Sequence, residues 1–235
     1  SITVTGTNAP TASSVAISGT TTVGETLTGS YTYADADGDL QGTSTYRWLS
    51  SSTADGTYTA ISGATSTTYV LTSADQGKFI KFEVTPVSVT GTPSTGTAVQ
   101  SAATSAITGR APTASLVTIS GTTTVGQTLT GSYTYADADG DLQGTSTYRW
   151  LSSSTAGGSY TAISGATNNT YVLTSADQGK FIKFEVTPVA ATGTPSTGTA
   201  AESAATSAIA GRAPTASAVT ISGTTTVGQT LTGTY

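Results

Sequence analysis

Hydrophobic and polar residues alternate with a period of two along much of the chain. In residues 26–34, TLTGSYTYA, the threonines fall on one face, and the opposite face carries Leu27, Gly29, Tyr31 and Tyr33. In residues 45–49, TYRWL, Tyr46 and Trp48 share a face that excludes Arg47. Alternation of this kind is typical of half-buried β-strands, so the pattern predicts two strands that each bury one face.

Similar stretches predict about seven strands in the first hundred residues, at 14–18, 26–34, 45–49, 57–61, 67–72, 79–87 and 97–107. We expect the first of them to be an edge strand. Turn signals that contain glycine separate the stretches at regular intervals. Short strands with this spacing are typical of an immunoglobulin-like β-sandwich, so we predict an all-β fold.

The pattern repeats with a period of 102 residues, since APTAS begins at residues 9, 111 and 213. Residues 9–110 and 111–212 differ at only 12 positions. Because about 100 residues make one immunoglobulin-like sandwich, we predict one repeat in each of these ranges. Residues 1–8 are then the end of a preceding repeat or a linker, and residues 213–235 hold the first strands of a third repeat.

Composition removes most catalytic chemistry. The chain has no His, Cys or Met, 9% charged residues and a net charge of −5, whereas 55 of its 235 residues are threonine. An enzyme would have to use carboxylates, Lys, Tyr or Ser alone, so we predict a non-catalytic protein. Without clustered Lys and Arg we expect no nucleic acid partner. No apolar run reaches the roughly 18 residues of a membrane span, and Ser1 opens no leader, so we expect a mature soluble fragment of a longer protein.

Two stretches carry a resemblance to a known class of repeat: TVGETLTGSYTYADADGDLQGTSTYRWL and TYVLTSADQGKFIKFEVTPV. They resemble the tandem bacterial immunoglobulin-like repeats of large surface-layer proteins and adhesins. The resemblance implies a β-sandwich, a place at the extracellular bacterial cell surface and a role in spacing or display. Trp48 matches the buried tryptophan of the third strand in such folds, whereas Phe79 lacks the hydroxyl of their tyrosine corner.

The stretch YADADGDLQG, residues 33–42, recurs at 135–144 and crowds three carboxylates into five residues. Three aspartates, with carbonyls and water, offer the oxygen ligands that Ca²⁺ prefers. The helical calcium loop does not fit, because Gly38 stands at the fourth position and Tyr46 replaces the closing glutamate. Asp-Gly-Asp is equally good turn chemistry, so a solvated turn stays open beside the calcium site. The candidate metal ligands are Asp35, Asp37, Asp39, Asp137, Asp139 and Asp141.

Two further sets of side chains allow more than one interpretation. The aromatic residues could form a platform for sugar rings, but a domain this poor in leucine needs most of them as core, and Tyr58 is the one we expect to be exposed. Arg47 and Glu83 lie on the outward faces of predicted neighbouring strands. We expect an exposed cross-strand ion pair that contributes at most about 1 kcal/mol.

The predicted function is that of a structural segment in a long extracellular bacterial surface protein: a stalk, a fibre or a surface-layer filament. The alternative is an adhesion module that binds carbohydrate or a host protein and is stiffened by calcium. The expected partners are neighbouring repeats of the same chain or of like chains, through strand exchange or fibre assembly.

Overall fold

A computed structural model describes residues 7–235. Most of the predicted preceding segment, 1–8, therefore lies outside the described residues. The first copy of the repeat contains seven strands: β1 (Thr11–Ser18), β2 (Thr26–Ala34), β3 (Thr45–Ser51), β4 (Thr59–Ala60), β5 (Thr68–Val70), β6 (Phe79–Thr85) and β7 (Val99–Gln100). A short 3₁₀ turn, Ser73–Asp75, precedes β6.

The second copy repeats this order with strands β8 (Thr113–Ser120), β9 (Thr128–Ala136), β10 (Thr147–Ser153), β11 (Thr161–Ala162), β12 (Thr170–Val172), β13 (Phe181–Thr187) and β14 (Ala201–Glu202). Its 3₁₀ turn spans Ser175–Asp177. Each copy forms two antiparallel sheets, with strand orders β1-β2-β5 and β4-β3-β6-β7 in the first and β8-β9-β12 and β11-β10-β13-β14 in the second. The all-β fold is therefore confirmed, and β1 lies at a sheet edge as predicted.

The core of the first copy is aromatic, as the sequence predicts. Trp48 and Phe82 are fully buried, with ring centroids 5.1 Å apart, and Leu27 is buried beside them. Tyr69 stacks on Trp48 with centroids 5.7 Å apart. The Phe82 ring fills the space beside Gly29, where an added Cβ would lie 2.5 Å from ring atoms. Only glycine fits at this position. The alternation in β2 thus buries Leu27 and leaves room for an aromatic ring.

The predicted strand at 97–107 is wrong over most of its length, since only Val99–Gln100 is strand. Beyond it, the amides of Ser101, Thr104 and Ile107 donate to carbonyls of Phe82, Ile80 and Lys78. Each step of three residues along this run is therefore matched by a step of two residues along β6 and the residue before it. Two paired extended strands would advance by equal steps. Side-chain hydroxyls take the place of strand carbonyls as acceptors for the β6 amides. Ser101 Oγ accepts from Phe82 N–H and Thr104 Oγ1 accepts from Ile80 N–H, both at 3.0 Å.

The cross-strand pair forms, but half of it is not exposed. Arg47 lies opposite Glu83 in the β3–β6 ladder, and Arg47 Nε donates to Glu83 Oε1 at 2.8 Å. The arginine side chain is 58% exposed, whereas the glutamate side chain is only 7% exposed. Gln100 of β7 covers it and donates to Oε2 at 2.9 Å. The prediction of an exposed pair is therefore wrong for Glu83.

Tyr58 is half-buried, so the prediction of an exposed ring is also wrong. Lys81 Nζ lies 4.5 Å from the centroid of the Tyr58 ring, and the hydroxyl donates to Ala54 O at 2.9 Å. The flexible ammonium of Lys81 occupies the ring face that a sugar would need.

Two strands follow the second copy, β15 (Thr220–Ser222) and β16 (Thr232–Thr234). They pair with each other, antiparallel, and Val219, Ile221 and Leu231 are exposed. The equivalent leucines of the first and second copies, Leu27 and Leu129, are fully buried. Strand exchange with another chain stays a prediction.

Contacts divide the chain into two compact units. Unit 1 holds the residues up to Ser115 together with Thr134–Thr147 and Val186–Ala201. Unit 2 holds Leu116–Tyr133, Tyr148–Glu185 and Glu202–Tyr235. Both acidic stretches therefore lie in unit 1. Within residues 7–235, no helix has the length and apolar character needed to cross a membrane.

Candidate functional site

The first acidic loop directly follows β2 and is folded by its own aspartates. Asp35 Oδ1 accepts the backbone N–H of Asp37 at 2.9 Å and that of Asp39 at 3.4 Å. Gly38 takes a positive φ of 78°, which L side chains rarely adopt. The Tyr33 hydroxyl, at the end of β2, donates to Asp39 O at 3.1 Å. The turn chemistry predicted from Asp-Gly-Asp is therefore present.

The other two aspartates of this loop bind segments that are distant in sequence. Asp37 accepts from the Asn8 amide N–H at 2.7 Å and from Asn8 Nδ2 at 2.9 Å. These bonds favour the carboxylate and lower the pKa of Asp37, the backbone bond more than the side-chain bond. Asp39 Oδ1 accepts from the Thr90 hydroxyl. The loop thus joins the segment that precedes the copy to the connection that follows β6.

The second acidic loop repeats these bonds with one change of partner. Asp137 Oδ1 accepts the N–H groups of Asp139 at 2.8 Å and Asp141 at 3.4 Å, and Asp141 Oδ1 accepts from the Thr192 hydroxyl. Asp139 Oδ2 accepts the backbone N–H of Arg110, which stands one period after Asn8. A backbone donor serves either residue type at this position.

Several carboxylate oxygens are left over. In the described part of the chain, Oδ2 of Asp35 and Asp39, Oδ2 of Asp137 and Oδ1 of Asp139 are buried without a hydrogen-bond partner. Each loop can offer one oxygen from each of its three aspartates, all within 4.8 Å of one another. Buried anionic oxygens without donors are costly, and a hard cation relieves that cost. The donor set therefore fits Ca²⁺, and the six predicted ligands are brought together in two groups of three.

The bonding partners were not predicted from sequence. Thr90 lies 51 residues from Asp39, and a single threonine among many carries no signal. Arg110 contributes its backbone amide, so its residue type gives none either. Only the repeat carries a usable signal, because the residues just before the first and second APTAS bond to the loops that follow β2 and β9.

The carboxylate of Asp75, outside the acidic loops, stabilises the fold through hydrogen bonds. The buried Asp75 accepts three hydrogen bonds on Oδ2, each of 2.8 Å, from the Tyr69 hydroxyl and from the amide and hydroxyl of Thr72. Burial, and then the bond to Asp75, raise the pKa of Tyr69 to about 12. Tyr69 thereby supplies the tyrosine hydroxyl contact that Phe79 cannot make.

Two antiparallel sheets per copy, closed over a tryptophan and phenylalanine core, define a tandem array of immunoglobulin-like sandwiches. The model of the AIR9 A9 domain matches residues 11–101 and 113–202, and the chain belongs to this family of immunoglobulin-like domains. No curated protein matches the chain. Among solved structures, the FN1–FN3 domains of chicken CNTN1 align with 98% of this chain and 76% of that chain, at 13% identity and a TM-score of 0.29.

Proposed function

We propose that the chain is a non-catalytic spacer in a long extracellular bacterial surface protein, where sandwiches in series form a stalk, a fibre or a surface-layer filament. The observation that carries this proposal is the bonding of the connecting segment 108–110 within unit 1. A spacer holds its length only if the connections between its domains are held, and free connections would act as flexible coils.

The segment is bonded to the first copy. Thr108 N–H donates to Thr21 O at 2.8 Å, and Val23 N–H donates to Thr108 O at 2.9 Å. Arg110 Nε donates to Val23 O at 3.0 Å. The guanidinium would overlap any side chain at Gly24. The end of the first copy is therefore bonded to the connection between β1 and β2 of the same copy.

The same segment is also bonded to residues of the second copy that belong to unit 1. Gly109 N–H donates to Thr194 O at 2.7 Å, and Arg110 N–H donates to the Asp139 carboxylate. All three residues of the connection thus take part in hydrogen bonds. This leaves few backbone groups free to change direction, which supports a stiff spacer.

Unit 2 contains the corresponding fastening after the second copy. Val125 N–H donates to Ala210 O at 2.9 Å, and Ala210 N–H donates to Thr123 O at 2.8 Å. Alanine replaces the threonine found at position 108, but the bonds use only the backbone. Recurrence of the same contacts one period later supports a serial arrangement.

The adhesion alternative gains less support. Its aromatic platform would need open ring faces, but Trp48 and Phe82 are fully buried and Lys81 covers Tyr58. The absence of His and Cys from the sequence supports a non-catalytic role. A glycan array probed with the whole chain tests the alternative directly, and specific hits that survive competition by free sugar would favour it.

Location is tested on intact cells of the source organism. Antibodies raised against the chain should label the outside of the cells, and external protease should remove the label. Label found only after the cells are opened would overturn the proposal.

Stiffness is tested by small-angle scattering of the chain with residues 108–110 replaced by Gly-Gly-Ser. We expect a broader distribution of end-to-end distances. The matched control places Gly-Gly at residues 54 and 55, which are exposed in a turn within the first copy, and keeps Gly56. Equal distributions for the two variants would contradict the stiff connection.

A further inference from the structure

A cavity of 470 Å³ in unit 1 adjoins the second acidic loop. Residues of both copies line it: Ser73, Gln76 and Ile107 from the first, and Asp141, Thr192 and Gly193 from the second. The glutamine directly follows the 3₁₀ turn of the first copy, whereas Asp141 belongs to the acidic loop of the second.

The side-chain amide of Gln76 lies beside this loop. Its Nε2 atom is fully buried and has no hydrogen-bond partner in the described part of the chain. A methyl group added to Gly109 would contact both Gln76 Nε2 and Asp139 Oδ2. One added to Gly193 would contact both Gln76 Nε2 and Asp141 Oδ2. The glutamine amide and the carboxylates therefore flank the same small space, which both glycines leave open.

Within residues 7–235, no lysine or arginine side chain forms an ion pair with the three carboxylates. The ion pairs found in residues 7–235 join Arg47 to Glu83, Arg149 to Glu185 and Lys183 to Glu202. Arg110 lends the loop its backbone amide, while its guanidinium is held at Val23. Asp137 and Asp139 thus each keep a buried oxygen without a partner, and the three neighbouring carboxylates repel one another unless a cation binds between them.

We propose that Asp137, Asp139, Asp141 and Gln76 bind one Ca²⁺, so that a cation joins two successive copies of the repeat. The biological role of this site rests on the proposed spacer function, but the site itself does not. The two ends of a glutamine amide are interchangeable by rotation, and the rotated amide presents Oε1 to the ion. Carboxylate and amide oxygens with water give Ca²⁺ the oxygen ligands it needs, and an irregular cavity suits it better than Mg²⁺.

The chain provides its own comparison for the glutamine. Gln178 is the same residue one period later, after the 3₁₀ turn of the second copy, and it is exposed, whereas Gln76 is half-buried. Gln76→Ala therefore removes a ligand, while Gln178→Ala removes the same side chain from a place where it binds nothing of this loop.

The experiment is calorimetric titration of the whole chain with CaCl₂. The first loop is silenced in all samples by Asp35→Asn and Asp39→Asn, so that only the second loop can bind. Near-ultraviolet circular dichroism of Trp48 and Trp150 reports whether each variant is folded. Terbium luminescence excited through Tyr135, whose hydroxyl donates to Asp141 O at 3.1 Å, reports where the ion sits.

We expect one bound calcium per chain. Gln76→Ala should weaken its affinity at least about tenfold, since the loss even of a group that only orients a metal ligand costs about 10- to 100-fold. Gln178→Ala should bind like the parent, and Asp137→Asn with Asp141→Asn should not bind. Failure of the parent to bind at about 10 mM calcium, roughly ten times the upper end of the 0.1–1 mM range of weak extracellular sites, would overturn the site. Equal affinities of the two glutamine variants would overturn the role of Gln76. The spacer proposal is judged separately, by the cell-labelling and scattering experiments, which are done without calcium. A failure of calcium binding would therefore not count against the spacer.

Discussion

At the scale of single residues, two glycines limit how the core can change. A Cβ on Gly29 would lie 2.5 Å from atoms of Phe82, and Gly131 meets Phe184 in the same way. We predict that Gly131→Ala destabilises the second copy by about 1–3 kcal/mol through overpacking. Urea unfolding followed by tryptophan fluorescence measures this. Gly157→Ala is the control, because nothing lies within 4 Å of the added methyl group, and a loss of equal size there would contradict the explanation.

Two half-buried tyrosines make stability sensitive to alkaline pH. Burial is the main cause that raises the pKa of both Tyr69 and Tyr171 from 10.0 to about 12. The unfolded chain therefore loses these protons first, and their contribution, complete below pH 10, should be lost as the pH rises from about 10 to 12. Urea midpoints measured across this range test the prediction.

The control for the pH effect is Tyr69→Phe with Tyr171→Phe. This variant should be less stable at neutral pH, because Asp75 and Asp177 each lose a hydrogen bond. Its midpoint should fall less steeply above pH 10 than that of the parent. An identical slope in parent and variant would assign the alkaline loss to other groups.

At the scale of elements, the run after β7 depends on hydroxyls. Ser101 Oγ accepts from the buried amide of Phe82. Ser101→Ala leaves that donor without this partner, and we expect a loss of about 1–3 kcal/mol. Ser105→Ala is the matched control, since its hydroxyl contacts only the exposed Thr21 hydroxyl. Similar urea midpoints for the two variants would show that the Ser101 hydroxyl is dispensable.

Strands with one clearly apolar face could be predicted from the sequence. Segments without such a face could not. Strands β2, β3 and β6 begin within a residue of their predictions because large side chains alternate with threonine or charge. The run 97–107 consists mostly of small residues, for which strand and irregular backbone bury similar surface. Hydrogen bonds to Lys78, Ile80 and Phe82 decided its course, and these residues lie 19 to 29 positions from their partners.

The acidic loops show the same division. Their carboxylates are adjacent in sequence, so the cluster could be predicted without a structure. The burial of Glu83 and the approach of Gln76 to the second loop could not, because each depends on a segment that folding brings in. Local patterns identify groups that belong together along the chain, but not those joined by packing.

At the scale of the whole molecule, near-identity of the copies predicts their mechanical behaviour. Pulled from its ends, the chain should show two unfolding steps of equal length, each of roughly 30 nm for about 100 residues. Gly131→Ala should lower the force of one step and leave the other unchanged. A single combined step, or a change in both forces, would show that the copies unfold as one body.

Copies this similar are also the sequences best suited to pair wrongly with one another during synthesis and folding. A free strand edge, with its row of open amides and carbonyls, is where such pairing begins. The run from Ser101 to Ile107 closes that row along β6, since its own hydroxyls and amides use the groups that a sister strand would seek. Its departure from strand geometry therefore leaves fewer backbone groups along β6 open to pairing with a neighbouring copy.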